Sequence, residues 1–232
     1  MPQLGTIYAH QVGMRLINIP FIIAFVIATL ALGIAYVSGI RRDAEPTEYL
    51  WYDALQELNE LGRAKYRQSQ RYNDYAHRAE LDSLPSQAAL FRALSFADNV
   101  QCENCRKAIE SLGGRFHSPV VATTSLHDLP THINLALEEK HALHNQLTVQ
   151  CLHRAIGDGN RYIARIITWC DASDIAQIAI LQSTLEALSS HNNADTPPYR
   201  VCPTCGAISN ARLFTDYCPL CMTAVGQFHT FE

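Results

Sequence analysis

The chain has no run of lysine or arginine dense enough to grip a phosphate backbone. Its 18 basic residues are outnumbered by 22 acidic ones, for a net charge of −4, so no nucleic-acid partner is expected. Charge is missing altogether from Ile19 to Val37, where polar groups are nearly absent too. With its flanks, Leu16 to Ile40, this stretch is long enough to cross a hydrocarbon core at about 1.5 Å per residue. The first residues also lack a basic cluster, holding only Arg15. The apolar stretch is longer than the core of a usual secretory leader, which favours a retained anchor over a cleaved signal peptide. Arg41 and Arg42 follow the span, whereas the tail before it offers His10 and Arg15. The positive-inside rule then places the C-terminal body in the cytoplasm. Pro20 sits near the start of the span, where it costs a helix least.

Cysteine is what the chain does have, eight in all. Four lie near the C-terminus as Cys202-Pro-Thr-Cys205 and, after a twelve-residue gap, Cys218-Pro-Leu-Cys221. Two C-x-x-C turns at this separation can wrap four thiolates around one metal ion tetrahedrally. The competing reading, a pair of disulfides, fits the paired turns less well. A segment of this size buries too little apolar surface to fold alone, so metal binding is expected to fold it. Each turn should aim backbone N–H groups at the sulfurs and stabilise their charge. The other four cysteines, Cys102, Cys105, Cys151 and Cys170, fall on helical segments and suggest a reducing compartment.

Between anchor and cysteine ribbon, residues 47–190 predict four helices. The first runs from Thr47 to Glu80, with Leu50, Leu55, Leu58, Leu61, Tyr72, Tyr75 and Ala79 recurring mostly at steps of three and four. Ser83-Leu84-Pro85 ends it and opens the second helix, which stops at Gly113-Gly114. The connection Arg115–Leu129 is too long for a simple antiparallel neighbour and suits a crossover. Pro130 opens a third helix ending near Gly157-Asp158-Gly159, and the fourth runs to about Ser190. Residues 191–198 read as a linker. The second and fourth helices share a short pattern, Asp98-x-x-Gln101 and Asp174-x-x-Gln177. Two hairpins joined by one crossover suggest a ferritin-like four-helix bundle.

A four-helix body followed by Tyr-Arg-Val-Cys202-Pro-Thr-Cys205-Gly206 and Tyr217-Cys218-Pro-Leu-Cys221 resembles the rubrerythrin family. Arg71-Tyr72, Ala76, Leu90-Phe91-Arg92-Ala93 and Thr131-His-Ile-Asn134-Leu135 carry the resemblance into the bundle. It covers residues 47–232 and implies a ferritin-like di-iron bundle joined to a rubredoxin-like iron site. Met222 departs from it, standing where the second turn usually has Gly. Larger departures lie in the bundle. The family's second and fourth helices each offer Glu-x-x-His to the irons; here those positions carry Asp98 with Gln101 and Asp174 with Gln177. Asp is shorter than Glu, and a Gln amide is a poorer iron ligand than imidazole. The glutamate position of the first helix falls on Lys65. The third helix offers Lys140 or His141 with Leu143 or His144, or else Ala142 with Asn145, but no pair of carboxylates. We therefore expect Lys65 with Asp98, and Lys140 with Asp174, to fill the position of the metals, an ammonium standing in for metal charge.

Other clusters compete. Glu138, His141 and His144 lie at three-residue steps and, with Asp174, could rebuild a zinc or iron site; a polar stripe facing solvent or a partner is the favoured reading, since no second matching cluster accompanies them. Cys102-Glu-Asn-Cys105 reads as a redox or metal motif or as core packing, with packing favoured. Cys151 and Cys170 are expected between the third and fourth helices. Tyr72 and Tyr75 read as core, and Trp51 and Tyr52 lie within reach of a membrane surface.

The expected architecture is mainly α: an N-terminal tail and single transmembrane helix over 1–42, a ferritin-like four-helix bundle over 47–190, a linker over 191–198, and a small β rubredoxin-like ribbon over 199–232. The expected metal ligands are Cys202, Cys205, Cys218 and Cys221, holding one Fe, with Zn as the alternative, and no di-iron centre. No catalytic residue is assigned. The expected role is a membrane-anchored accessory or scaffold subunit of a membrane protein complex, its ribbon kept for structure or one-electron transfer. The alternatives are a peroxide-reducing rubrerythrin with a rebuilt bundle site and an iron-handling protein at the membrane.

Overall fold

The computed structural model describes residues 27, 29, 30, 51–122, 124, 125, 127–190, 198–210 and 216–232. The expected membrane span lies outside these residues except at three positions, as do 47–50 and most of the linker. Among the described residues no helix is long and apolar enough to cross a membrane.

The body is helical, with a small sheet at its C-terminal end. Helices α1 (Tyr52–Leu81) and α2 (Pro85–Ser111) form the first hairpin. Its turn places Ser83 at φ 57 and returns the Leu84 N–H to the Ala79 carbonyl at 2.9 Å, while Pro85 occupies the first turn of α2, where its missing N–H is no loss. At the other end of α2, Gly113 takes φ +82 and the Gly114 N–H bonds the Ile109 carbonyl at 2.9 Å, a glycine C-cap. The crossover then leads to α3 (Leu129–Leu143), whose first turn is capped by the Asp128 carboxylate accepting from the Thr131 N–H at 3.0 Å. Helix α5 (Arg161–Ser189) starts on the Asn160 side chain, which accepts from the Ile163 N–H at 3.0 Å.

The third bundle helix is not the single α-helix predicted. After Leu143 the chain makes one π-helical stretch, His144–Thr148, before α4 (Val149–Gly157). The spacing of buried residues explains it. Ala136, Lys140 and Leu143 are buried, and the next buried positions are Thr148, Cys151 and Ala155. The five-residue step from 143 to 148 is one too many for an α-helix, and a π turn absorbs the extra residue. The Thr148 hydroxyl donates to the Leu143 carbonyl at 3.3 Å within that turn.

Two apolar clusters fill the body. One joins Tyr72, Tyr75, Leu90, Phe91, Leu94, Ile133 and Leu181 to Tyr199, Val201 and Ile208. The other gathers Leu58, Leu61, Ile109, Ile163, Ile166 and Ile167 with Cys105, Cys151 and Cys170. The ribbon is a three-stranded antiparallel sheet of order β2-β1-β3, with β1 Tyr199–Val201, β2 Ile208–Asn210 and β3 His229–Phe231. Because β1 and β2 supply side chains to the first cluster, the ribbon lies directly against the bundle.

Candidate metal centre and the charged core of the bundle

Cys202, Cys205, Cys218 and Cys221 come together with their sulfurs all within 4.8 Å of one another. Cys202 and Cys221 approach to 3.5 Å, as do Cys205 and Cys218. Thiolates about 2.3 Å from a tetrahedral ion stand roughly 3.8 Å apart, so the cage has the size of one iron or zinc ion, and all four cysteines are free thiols. Each turn is closed by a backbone bond, Gly206 N–H to Cys202 O at 3.0 Å and Met222 N–H to Cys218 O at 2.9 Å. The N–H groups of Thr204 and Cys205 point at the Cys202 sulfur, that of Ala207 at Cys205, and those of Leu220 and Cys221 at Cys218. The Cys205 thiol, against burial and with those amides and Cys221 helping, holds Cys202 below its usual range, and Cys202 and burial in turn raise Cys205. The residues therefore fit a single thiolate-bound metal ion. Met222, at φ 63, takes the left-handed conformation that Gly206 adopts at φ +75 in the first turn, which accounts for the strain expected from a side chain there.

The bundle's centre is occupied differently. Each of its four helical columns sends one charged side chain inward: Lys65 from α1, Asp98 from α2, Lys140 from α3 and Asp174 from α5, each 0% exposed. The Lys65 Nζ lies 2.5 Å from Asp174 Oδ2 and 3.6 Å from Asp98 Oδ1. The Lys140 Nζ donates to both Asp98 oxygens at 2.8 Å and to Asp174 Oδ1 at 2.7 Å. Both pairs expected from sequence are present, Lys140 with Asp174 at 2.7 Å and Lys65 with Asp98 at 3.6 Å, and two further contacts cross them: Lys140 also bonds Asp98, and the closest partner of Lys65 is Asp174. The crossed contacts arise because each ammonium group reaches both carboxylates. Gln68 accepts from Lys140 at 3.1 Å. Gln177 donates to Asp98 Oδ1 at 3.3 Å and to Ser173 Oγ at 3.2 Å.

The quartet pairs two lysines with two aspartates, so its formal charges balance. Burial opposes the charge on Lys140, but Asp174 and Asp98 outweigh it and keep the ammonium above its usual range. Burial likewise opposes ionisation of Asp174, and Lys140 and Lys65 overcome it, holding the carboxyl below its usual range. Burial first, then Asp98 and Asp174, push the neighbouring Tyr72 phenol up.

A dinuclear iron centre does not fit these residues. The inward positions hold two cations, two short carboxylates already bonded to them, and Gln101 and Gln177 in place of imidazoles. A divalent ion about 4 Å from one ammonium meets a repulsion of about 8 kcal/mol at an effective dielectric of 20.

The remaining candidates are placed as follows. Glu138 and His141 are exposed, and His144, half-buried, bonds Asp171 Oδ1 at 2.7 Å through Nδ1; they do not converge on Asp174. Cys102, Cys105, Cys151 and Cys170 are all buried. Burial pushes Cys102 and Cys151 up to about 12, which suits core packing rather than thiolate chemistry. Tyr72 and Tyr75 are core residues, and Tyr52 is exposed. Sequence reasoning missed the contacts that seat the ribbon on the bundle: Ser173 Oγ donates to Gly206 O at 2.8 Å, Trp169 Nε1 to Leu220 O at 3.2 Å and Asn104 Nδ2 to Thr204 O at 2.8 Å. No local pattern marks these residues. Gly206 is required at that seat, since a Cβ there would lie 2.7 Å from the Ala97 carbonyl oxygen.

No protein-family model and no curated protein matches the sequence. Solved structures do. Nigerythrin in its fully reduced, all-ferrous state superposes with a TM-score of 0.70 at 16% identity, over 77% of this chain and 86% of that one. The bacterioferritin of Desulfovibrio desulfuricans, described with its diiron site in different catalytic states, gives 0.60 at 14% identity over 65% and 88%. Mycobacterium tuberculosis bacterioferritin gives 0.57 at 18% identity over 61% and 89%. The chain therefore shares the fold of nigerythrin, a rubrerythrin: a ferritin-like bundle followed by a rubredoxin-like four-cysteine unit.

Proposed function

We propose that this protein is an accessory or scaffold subunit of a membrane complex. The segment 16–40 anchors it in the membrane, and the bundle and ribbon lie on the cytoplasmic side. The bundle serves as a frame without a dinuclear metal centre, and the ribbon carries one metal ion as a structural knot or a one-electron carrier. The observation that carries this reading is the buried quartet: two ammonium groups lie where a ferritin-like bundle would place metal charge, bonded at 2.5–2.8 Å to the carboxylates that would hold it. The four thiols, by contrast, keep a complete and correctly sized cage. Iron is the preferred occupant, because four thiolates allow it to cycle between ferric and ferrous states with little change of geometry; zinc would serve structure alone.

The test is a metal count with element identity on the full chain purified from membranes in detergent. The expected result is one metal per chain, lost in Cys218→Ser. If the metal is iron, the sample has red thiolate-to-iron absorption and no near-ultraviolet band of an oxo-bridged pair. Three irons per chain, or peroxide turnover above free iron, refutes the reading in favour of an enzyme. Removal of residues 1–42 should release the protein from the membrane and from its complex; persistence of both refutes the anchor.

A further inference from the structure

Three of the side-chain bonds from bundle to ribbon share a property that docking alone does not require. Each lands on the carbonyl of a peptide unit whose own N–H points at a cysteine sulfur. Asn104 donates to the Thr204 carbonyl at 2.8 Å, and the N–H of that same peptide, on Cys205, bonds the Cys202 sulfur. Ser173 donates to the Gly206 carbonyl at 2.8 Å, and the N–H of that peptide, on Ala207, bonds the Cys205 sulfur. Trp169 donates to the Leu220 carbonyl at 3.2 Å, and the N–H of that peptide, on Cys221, bonds the Cys218 sulfur. One donor comes from α2 and two from α5, and together they reach the three fully buried cysteines.

A peptide is a resonant unit. A hydrogen bond to its oxygen draws electron density from nitrogen and makes the N–H a stronger donor. Amide donors to ligand sulfur in turn govern the potential of thiolate-bound iron. We infer that the bundle acts as the outer coordination sphere of the four-cysteine centre, with Asn104, Ser173 and Trp169 positioning residues that set its reduction potential through three polarised peptides. The Ser173 arm continues inward. Gln177 bonds both Ser173 Oγ at 3.2 Å and Asp98 Oδ1 at 3.3 Å, so the charged quartet is wired to the same sulfur. This gives the bundle a use that needs no metal of its own.

The sign follows from charge. Taking up one electron turns the Fe(III) centre into Fe(II) and places more negative charge on the sulfurs, so stronger N–H donors favour the reduced form. The inference rests on the four-cysteine reading above, and the experiment separates the two. The full chain is loaded with iron, and its potential and thiolate-to-iron absorption energy are measured for the wild type and for Asn104→Ala, Ser173→Ala and Trp169→Phe. At a fixed ambient potential each variant should lower the ratio of reduced to oxidised centre about twofold, and the three together about eightfold, with the absorption moving to lower energy. Ser173→Thr, which keeps the hydroxyl, should restore the wild-type potential. Trp169→Phe keeps the ring and removes only the N–H, so a fault of packing does not mimic the effect. If the wild type takes up no iron in the ribbon, the four-cysteine reading fails and this inference with it. If it loads, and the variants load but keep its potential and absorption, the coupling alone is refuted.

Discussion

Replacing Lys65 by Met is the sharpest test of the charged core. Lys65 is wholly buried and sits 2.5 Å from Asp174. Without it, Lys140 alone faces two carboxylates, leaving one uncompensated negative charge in the interior. Breaking a buried pair in this way costs about 3–5 kcal/mol, a large part of a domain's margin of about 5–15 kcal/mol. Asp174→Asn should cost a similar amount, because it strands Lys65, whose remaining carboxylate neighbour is 3.6 Å away. The double variant restores neutrality and keeps the Lys140–Asp98 contacts of 2.8 Å. Its cost should therefore fall below the sum of the single changes by about 2 kcal/mol or more, the scale of strong coupling between adjacent residues. Going further, Lys65→Met, Asp98→Leu, Lys140→Met and Asp174→Leu combined should be neutral or stabilising by about 1–4 kcal/mol, since desolvating four charges is no longer required. Urea unfolding at pH 7, followed by helical circular dichroism, measures all of these. Additive single costs, or a loss under about 1 kcal/mol for Lys65→Met, would refute a dry, mutually compensated quartet.

Further outcomes follow from the same geometry. Asp174 is held below its ordinary 3.8, so its contribution is complete above that pH and is lost as pH falls through the lower folded value; Lys140 is held above 10.5, so its contribution is complete below that pH and is lost as pH rises through the higher folded value. Unfolding free energy should thus lose stability on both flanks of a broad neutral plateau, and Lys65→Met should shrink the acid-side loss. Met222→Gly should relieve about 1 kcal/mol of left-handed strain and slow metal release to a chelator. Gly206→Ala should do the opposite, combining φ +75 with a Cβ placed 2.7 Å from the Ala97 oxygen, read as faster metal loss with helix content kept. Stripping the metal should collapse the amide dispersion of the two cysteine turns in NMR spectra while leaving the bundle's helical signal, because the turns are tied together chiefly through the metal whereas the three-residue strands also pack on the bundle.

The legible parts of this protein were those written in local spacing. The cysteine turns, the helix-opening prolines Pro85 and Pro130, and the glycine stops all act within a few residues, and each appears where its pattern places it. The inward aspartates were readable from the Asp-x-x-Gln repeat, whereas Lys65 and Lys140 were reached only through the resemblance to rubrerythrins, Lys140 as one of several registers. The expected pairs form, but the crossed contacts Lys65–Asp174 and Lys140–Asp98 were not readable, since they depend on how four helices converge rather than on any one of them. The π turn at 144–148 escaped because a single surplus residue hardly disturbs a hydrophobic pattern, although the step from Leu143 to Thr148 contains it. Asn104, Ser173 and Trp169 were invisible for a different reason: their partners are backbone carbonyls up to 100 residues away, and any peptide offers such a carbonyl.

The charged residues of the bundle make sense only as a set. Two buried aspartates alone would be uncompensated anions, and two buried lysines alone would be uncompensated cations; either state is strongly unfavourable in a dry interior. Together the four balance in formal charge and bond one another at 2.5–2.8 Å. The result keeps the four columns at the spacing that the ribbon needs, since Gly206 fits against Ala97 and Gln101 with no room for a methyl group. That fit depends on the backbone of the second helix staying in place, and the charged core beneath it, with Asp98 one residue from Ala97, holds that helix to the other three. A tight seat for the four-cysteine knuckle and a core closed by internal charge are thus parts of one packing arrangement, which ties the bundle to the ribbon it supports.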